Sequence, residues 1–186
     1  MSERKQKLLD EAALSEYALK VLAGRALSLA ELKDTLRKKA ARASDVDVVL
    51  ARLKQYGYID DRRFAETYAN ARLNNQGFGK MRVLRDLQRK RVTRTVAEGA
   101  VETAFRDTDE TALIEEFLAR KFRNVDLAGS LADPKRLAAA YRRLRHAGFS
   151  SGNTIRVLKR YARQAEELES LESPEEEQGG ELPSLE

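Results

Sequence analysis

The sequence predicts an all-α fold, three tandem three-helix repeats forming an elongated, curved body with a disordered acidic C-terminal tail. Three observations predict it. Apolar residues recur at helical spacing along nearly all of the 186 residues, and no stretch alternates as a strand would. Ser, Thr, Asp and Asn punctuate the runs where helix caps are needed. The whole pattern then recurs at intervals of about 50 residues.

Each element follows in order. Ser28-Leu29-Ala30-Glu31 reads as a capping box that opens the Leu29, Leu32, Leu36 stripe. Ser44 is a candidate cap before Val46, Val49, Leu50 and Leu53, and Asp60 before Phe64 and Ala65. Gly77 and Gly79 read as a helix stop and the next helix start, with Lys80 an early helical charge. Val83 and Leu87 mark the next stripe, and Thr93 caps its successor. Asp107-Thr108-Asp109-Glu110 is another helix N-terminus, and Asp133-Pro134 places a cap before proline at the first helical position. Asn153 is a candidate cap for the last stripe, Ile155, Leu158, Ala162 and Ala165. These signals give about nine helices of roughly 10 to 18 residues.

Leu32, Leu36 and Lys39 are matched 51 residues later by Val83, Leu87 and Lys90, and Val49-Leu50 by Ala100-Val101. After another 57 residues Ala140 and Leu144 occupy the same places, followed by the turn at Gly148-Phe149 and by Val157-Leu158. The six extra residues, Val125 to Ser130, look like an inserted loop. The expected organisation is an N-terminal extension over 1–13, repeats over 14–59, 60–106 and 107–170, and the acidic tail over 171–186. A three-helix unit of about 50 residues buries little apolar surface alone, so neighbouring units should stack.

Charge is unevenly distributed. The chain carries 35 Lys and Arg against 30 Asp and Glu, a net +5, but Ala165 to Glu186 contains nine Glu and no basic residue. Residues 1–164 therefore keep 35 cations against 21 acids, a net +14. Such a body suits a polyanionic partner, either nucleic acid or an acidic protein surface, although amphipathic helices also carry solvated charge. The absence of cysteine excludes disulfides, thiolate nucleophiles and cysteine-based metal sites, and one His leaves any metal to carboxylates. No apolar run approaches the roughly 20 residues that span a bilayer, and Met1 to Glu11 lacks the apolar core of a secretory signal. A cytoplasmic protein without a membrane partner is expected.

No catalytic constellation emerges. Gly77-Phe78-Gly79-Lys80 resembles the end of a phosphate-binding loop, but Asn74 and Met81 break the motif and no strand precedes it. Asp60-Asp61 serves capping better than metal or acid-base chemistry, and Asp107 to Glu110 lacks the glycine and distal Glu of a calcium loop. His146, near Gly148, sits where it can satisfy helix-end carbonyls. Tyr56, Tyr58, Phe64, Phe78 and Phe149 could stack on bases, but aromatics near helix ends more often plug the joints between helices. Two cationic rows remain as candidate contacts to phosphate or an acidic surface. Arg156, Lys159, Arg160 and Arg163 fall at i, i+3, i+4 and i+7, on one helical face. Arg82, Arg85 and Arg89 form a second row, adjoining Lys90, Arg91 and Arg94.

The pattern resembles the RecX family of bacterial recombination regulators. The resemblance rests on Ala18-Leu19 and Leu22 followed by Ser28, Glu31-Leu32, Leu36 and Lys39; on Tyr58-Ile59-Asp60-Asp61 with Phe64-Ala65; and on Gly79, Val83, Asp86-Leu87, Lys90 and Val92. It covers about residues 14–163, and the Tyr-Ile-Asp-Asp-x-x-Phe-Ala run, at the join of two repeats, is its most specific element. The chain departs from the family where Arg91 and Ala40 stand in place of glycine and Ala147 in place of arginine. A left-handed residue past a helix end costs more without glycine. The resemblance implies a non-enzymatic modulator without cofactor, and a monomer is expected. It would bind the RecA protein and the RecA filament on single-stranded DNA along the filament groove, with DNA itself as a further expected partner. There it would restrain ATP hydrolysis, strand exchange and the coprotease function that triggers the SOS response. The alternative is a general DNA-binding helical protein that does not need RecA.

Overall fold

A computed structural model describes residues 8–123, 126–162 and 165. The expected tail over 171–186 and Arg163 lie outside the described residues. Among the described residues the chain is all-α, with one isolated parallel bridge between Leu9 and Ala40. It divides into two compact units, Met1–Thr108 and Asp109–Glu186.

The first unit contains α1 (Glu11–Gly24), α2 (Leu29–Arg37) and α3 (Ala43–Gln55), then α4 (Asp61–Ala71), α5 (Lys80–Arg89) and α6 (Arg94–Phe105). A π turn over Arg72–Gln76 extends α4 and ends at Gly77, whose φ of +60° suits a residue without Cβ. The second unit contains α7 (Glu110–Lys121), α8 (Leu127–Leu131), α9 (Pro134–His146) and α10 (Ser151–Leu158). The stretch expected as an inserted loop thus carries a short helix, because Asp126 accepts a hydrogen bond from the Gly129 N–H and nucleates a turn.

The repeat spacing marks the core. Leu32, Val83 and Ala140, then Leu36, Leu87 and Leu144, are at most 3% exposed, and Val49, Ala100 and Val157 with Leu50, Val101 and Leu158 are buried as well. Each leucine or valine so placed contributes roughly 1.5–3 kcal/mol relative to leaving it in water. Caps follow the sequence at Ser28, Asp60, Asp109 and Asp133. Three expected caps differ. Ser44 lies inside α3, which starts one residue before it with Arg42 at the cap; Thr93 holds the cap position without a side-chain bond; and Ser150, not Asn153, caps α10. Asn153 is drawn away because its amide donates to Glu110 at 2.5 Å. In the same way the Ser150 N–H donates to Glu110 at 2.9 Å, so the first turn of α7 holds the start of α10.

In the first unit the two repeats join around the N-terminus of α2. Ser28 Oγ accepts from the Glu31 N–H at 3.1 Å and donates to the Lys90 carbonyl at 2.6 Å, while Glu31 accepts from the Ser28 N–H. The Leu29 N–H donates to Asp61 at 2.7 Å. Lys90 Nζ reaches Glu31 at 2.8 Å and lies over the stacked rings of Phe64 and Tyr68. Arg91 donates to the Ala30 carbonyl at 3.2 Å and pairs with Asp34. The Tyr58 to Ala65 run is built into this join. Ile59, Phe64 and Ala65 are buried, Asp60 caps α4, and Asp61 supplies an acceptor to α2.

The glycine-less turns resolve in two ways. Arg91 takes φ +57° in spite of its Cβ, and its guanidinium contacts offset the cost. Ala40 avoids a positive φ, and its turn is braced instead by the Leu9 N–H on the Lys39 carbonyl at 2.7 Å and the Ala41 N–H on the Leu9 carbonyl at 2.8 Å.

Arg91→Ala is therefore expected to lower the urea midpoint more than Arg91→Gly, since glycine recovers the left-handed backbone cost of about 1–2 kcal/mol; equal midpoints would remove the strain argument. The Asp34 carboxyl is held below its ordinary value of 3.8, first by the Arg91 hydrogen bond, opposed by desolvation, with the charges of Arg91, Arg37 and Lys38 adding. A depressed folded-state pKa stabilises above the unfolded value and is lost as pH falls through the folded one. Urea midpoints measured against pH should show that acid-side loss in the wild type and less of it in Asp34→Asn.

Candidate functional site

The two cationic rows meet different fates. On α5, Asp86 is only 8% exposed and collects Arg82 at 3.3 Å, Arg89 at 3.9 Å and, from the π turn, Arg72 at 3.9 Å. Tyr68 Oη donates to the same carboxylate at 3.4 Å. The guanidinium of Arg82 lies over the Phe78 ring and that of Arg72 over Tyr68, so both are partly desolvated against aromatic faces. Arg85 is half-buried, whereas the Arg89 side chain stays 71% exposed. Lys90 and Arg91 belong to the join between the first two repeats. Much of this row is therefore internal electrostatics around one buried acid, a use that helical spacing on the sequence does not distinguish from an outward-facing charge stripe.

The second row is also altered. α10 ends at Leu158, after which the Arg160 and Tyr161 N–H groups reach back only three residues, to Val157 and Leu158. Arg156, Lys159 and Arg160 are exposed, but they no longer lie on one continuous helix, and Arg160 pairs with Glu115 of α7. The apolar side follows the expected stripe, with Ile155, Leu158, Ala162 and Ala165 all buried.

The aromatics divide as well. Phe64 and Phe149 plug helix joints, the latter edge-on to Phe117 at 5.5 Å. Tyr56 and Tyr58 do not, being 67% and 55% exposed with their rings 6.5 Å apart. Gly57, at φ +70°, turns the chain between them, and the Tyr58 N–H closes onto the Leu53 carbonyl, so the turn itself directs both rings outward. Beside them lies a cleft of about 420 Å³ whose lining includes Leu29, Lys54, Ile59, Arg62 and Val96.

Gly77 and Gly79 act as helix stop and start, with Lys80 opening α5. His146 is the exposed last residue of α9, where Arg145 donates to the Phe149 carbonyl at 2.6 Å. Among the described residues no group of three or more His, Asp or Glu could hold a metal ion, and no helix is long and apolar enough to cross a membrane. Sequence reasoning missed Arg142 and Arg143 on α9, both exposed. The signal was present in the absence of any Asp or Glu from Pro134 to Gln164.

Comparison with known proteins places these features among relatives. The family model described as RecX, second three-helix domain, matches residues 60–101. The regulatory protein RecX of Syntrophotalea carbinolica is 25% identical over 134 residues, covering 72% of this chain and 86% of that one. The regulatory protein RecX of Streptomyces lividans is 28% identical over 141 residues, covering 76% and 73%. Among solved structures, RecX from Lactobacillus salivarius superposes with a TM-score of 0.62 at 18% identity, over 81% of this chain and 96% of that one. A further regulatory protein RecX gives 0.64 at 20% identity, over 79% and 72%.

The hub carboxylate gives a direct test of the α5 assignment. Asp86→Asn removes the negative charge on which three guanidinium groups converge and is expected to destabilise the fold by about 1–3 kcal/mol. Unchanged urea unfolding would show that Asp86 does not organise these cations.

Proposed function

We propose that this chain, which belongs to the RecX family of regulatory proteins, binds RecA and its filament on single-stranded DNA and restrains the filament's ATPase, strand-exchange and coprotease activities. Through these it would regulate DNA repair and the SOS response. The observation that carries the reading is the alignment of regulatory RecX proteins over about three quarters of the chain. The helical repeats offer exposed cationic surface, which suits a protein that acts by occupying another. Arg89, Arg156 and Lys159 are exposed members of the two rows and the ones proposed for outside contact. Arg82, Lys90, Arg91 and Arg160 serve the fold first.

A second reading, DNA binding that does not depend on RecA, is favoured by the net +14 of residues 1–164. The two readings separate in one assay. Titrated into RecA hydrolysing ATP on single-stranded DNA, the protein should inhibit at well below one molecule per RecA protomer, and Arg156→Glu with Lys159→Glu should weaken the inhibition. No effect at stoichiometric excess of folded protein would discard RecA regulation.

A further inference from the structure

The middle and last repeats use equivalent helices in opposite ways. α5 and α9 correspond through Val83 with Ala140 and Leu87 with Leu144, all buried. The same 57-residue offset puts Arg143 where the middle repeat has Asp86. In α5 that acid gathers three arginines. In α9 there is no acid at all, and from Pro134 to Gln164 the chain carries nine Lys and Arg without one Asp or Glu.

Lys135, Arg142 and Arg143 are exposed, and their side chains make no hydrogen bond or ion pair among the described residues. Arg136 differs, since it reaches Asp133 at 3.8 Å. Lys135 and Arg142 stand seven residues apart, two turns along one side of the helix and about 10 Å in rise, with Arg143 beside the second. We infer that this face of α9 is a sequence-independent contact for the phosphate backbone of nucleic acid. The inference rests on the nucleic-acid side of the reading above, and names a surface outside both rows found from sequence.

The chemistry favours phosphate over an acidic protein. Protein interfaces draw most of their affinity from a desolvated apolar or aromatic anchor. The large exposed apolar side chains among the described residues are Leu8, Leu19, Val48, Tyr56, Tyr58 and Met81, all in the first unit and none on α9. A row of cations without such an anchor binds through counterion release, and paired guanidinium forks match phosphate oxygens.

The test uses the full chain and a labelled oligothymidylate of about 30 nucleotides, with binding followed by anisotropy between roughly 50 and 200 mM salt. Arg142→Glu with Arg143→Glu should weaken binding about tenfold or more, and should flatten the slope of log affinity against log salt by about 1.4, or 0.7 for each lost contact. Arg142→Lys with Arg143→Lys should keep the slope. Lys20→Glu with Arg25→Glu, an equal charge change at exposed sites of the first unit, should alter affinity by less than about twofold if a local patch and not net charge is responsible. Undetectable binding by the wild type, normal binding by the α9 reversal, or an equal loss in the control would each overturn the inference. The same variants tested on RecA ATPase keep the two conclusions apart. Inhibition by wild type alongside normal oligothymidylate binding by the α9 reversal would reject this face and leave RecA regulation standing. Binding lost through α9, without any effect of wild type on RecA, would do the reverse.

Discussion

The first unit depends on how the N-terminus of α2 is satisfied. A helix start presents several N–H groups without intrahelical acceptors and a partial positive charge, and burying one without partners is costly. Here Ser28 is fully buried, and the acceptors come from two sources. Its own capping box serves Glu31, and the next repeat serves Leu29 through Asp61. The Ser28 hydroxyl in turn donates to the carbonyl of Lys90, at the C-terminal end of α5. A positive helix end thus meets a negative one, and Lys90, Glu31, Arg91 and Asp34 close the contact around them. Hydrophobic burial makes each three-helix repeat compact, but these polar bonds fix how the first two repeats meet.

Charge in this protein accordingly has two roles that composition alone merges. Lys90 is held between Glu31 and two ring faces, and Arg72, Arg82 and Arg89 converge on Asp86. Lys90, Arg72 and Arg82 stabilise the fold and are largely neutralised by it, whereas Arg89 stays mostly exposed. In the last repeat, where Arg143 takes the place of the central acid, the same helix turns its positive charge outward. A single exchange of an acid for an arginine between repeats therefore separates a scaffold helix from a candidate contact helix. Neither the net charge nor the spacing of basic residues reports that difference; the location of the acids does.

Much of the architecture is legible in the sequence because it rests on local rules. The equivalences among Leu32, Val83 and Ala140, and among Leu36, Leu87 and Leu144, identify core positions because periodicity directly encodes burial. Ser28 and Asp133 are recognisable caps because their partners lie within the next three residues. Where sequence reasoning diverged, a partner distant along the chain decided the outcome. Asn153 is drawn to Glu110, 43 residues away, and Lys90 to Glu31, 59 away. The outward direction of Tyr56 and Tyr58 depends on the left-handed turn at Gly57, which a general preference for buried aromatics overlooks. Of the candidate site, the cationic residue types were legible, while their availability depended on tertiary contacts with acids.

The bond from Ser28 to Lys90 spans 62 residues. During synthesis the first three helices emerge well before the carbonyl that completes the start of the second. At roughly 5–20 residues per second, the stretch from Gln55, at the end of α3, to Lys90 takes about 2 to 7 seconds. A nascent first repeat must therefore wait with an incompletely paired helix end, accessible to water or a chaperone, until the middle repeat leaves the ribosome. The order of translation thereby sets the earliest moment at which the first unit can lock, however rapidly its individual helices form.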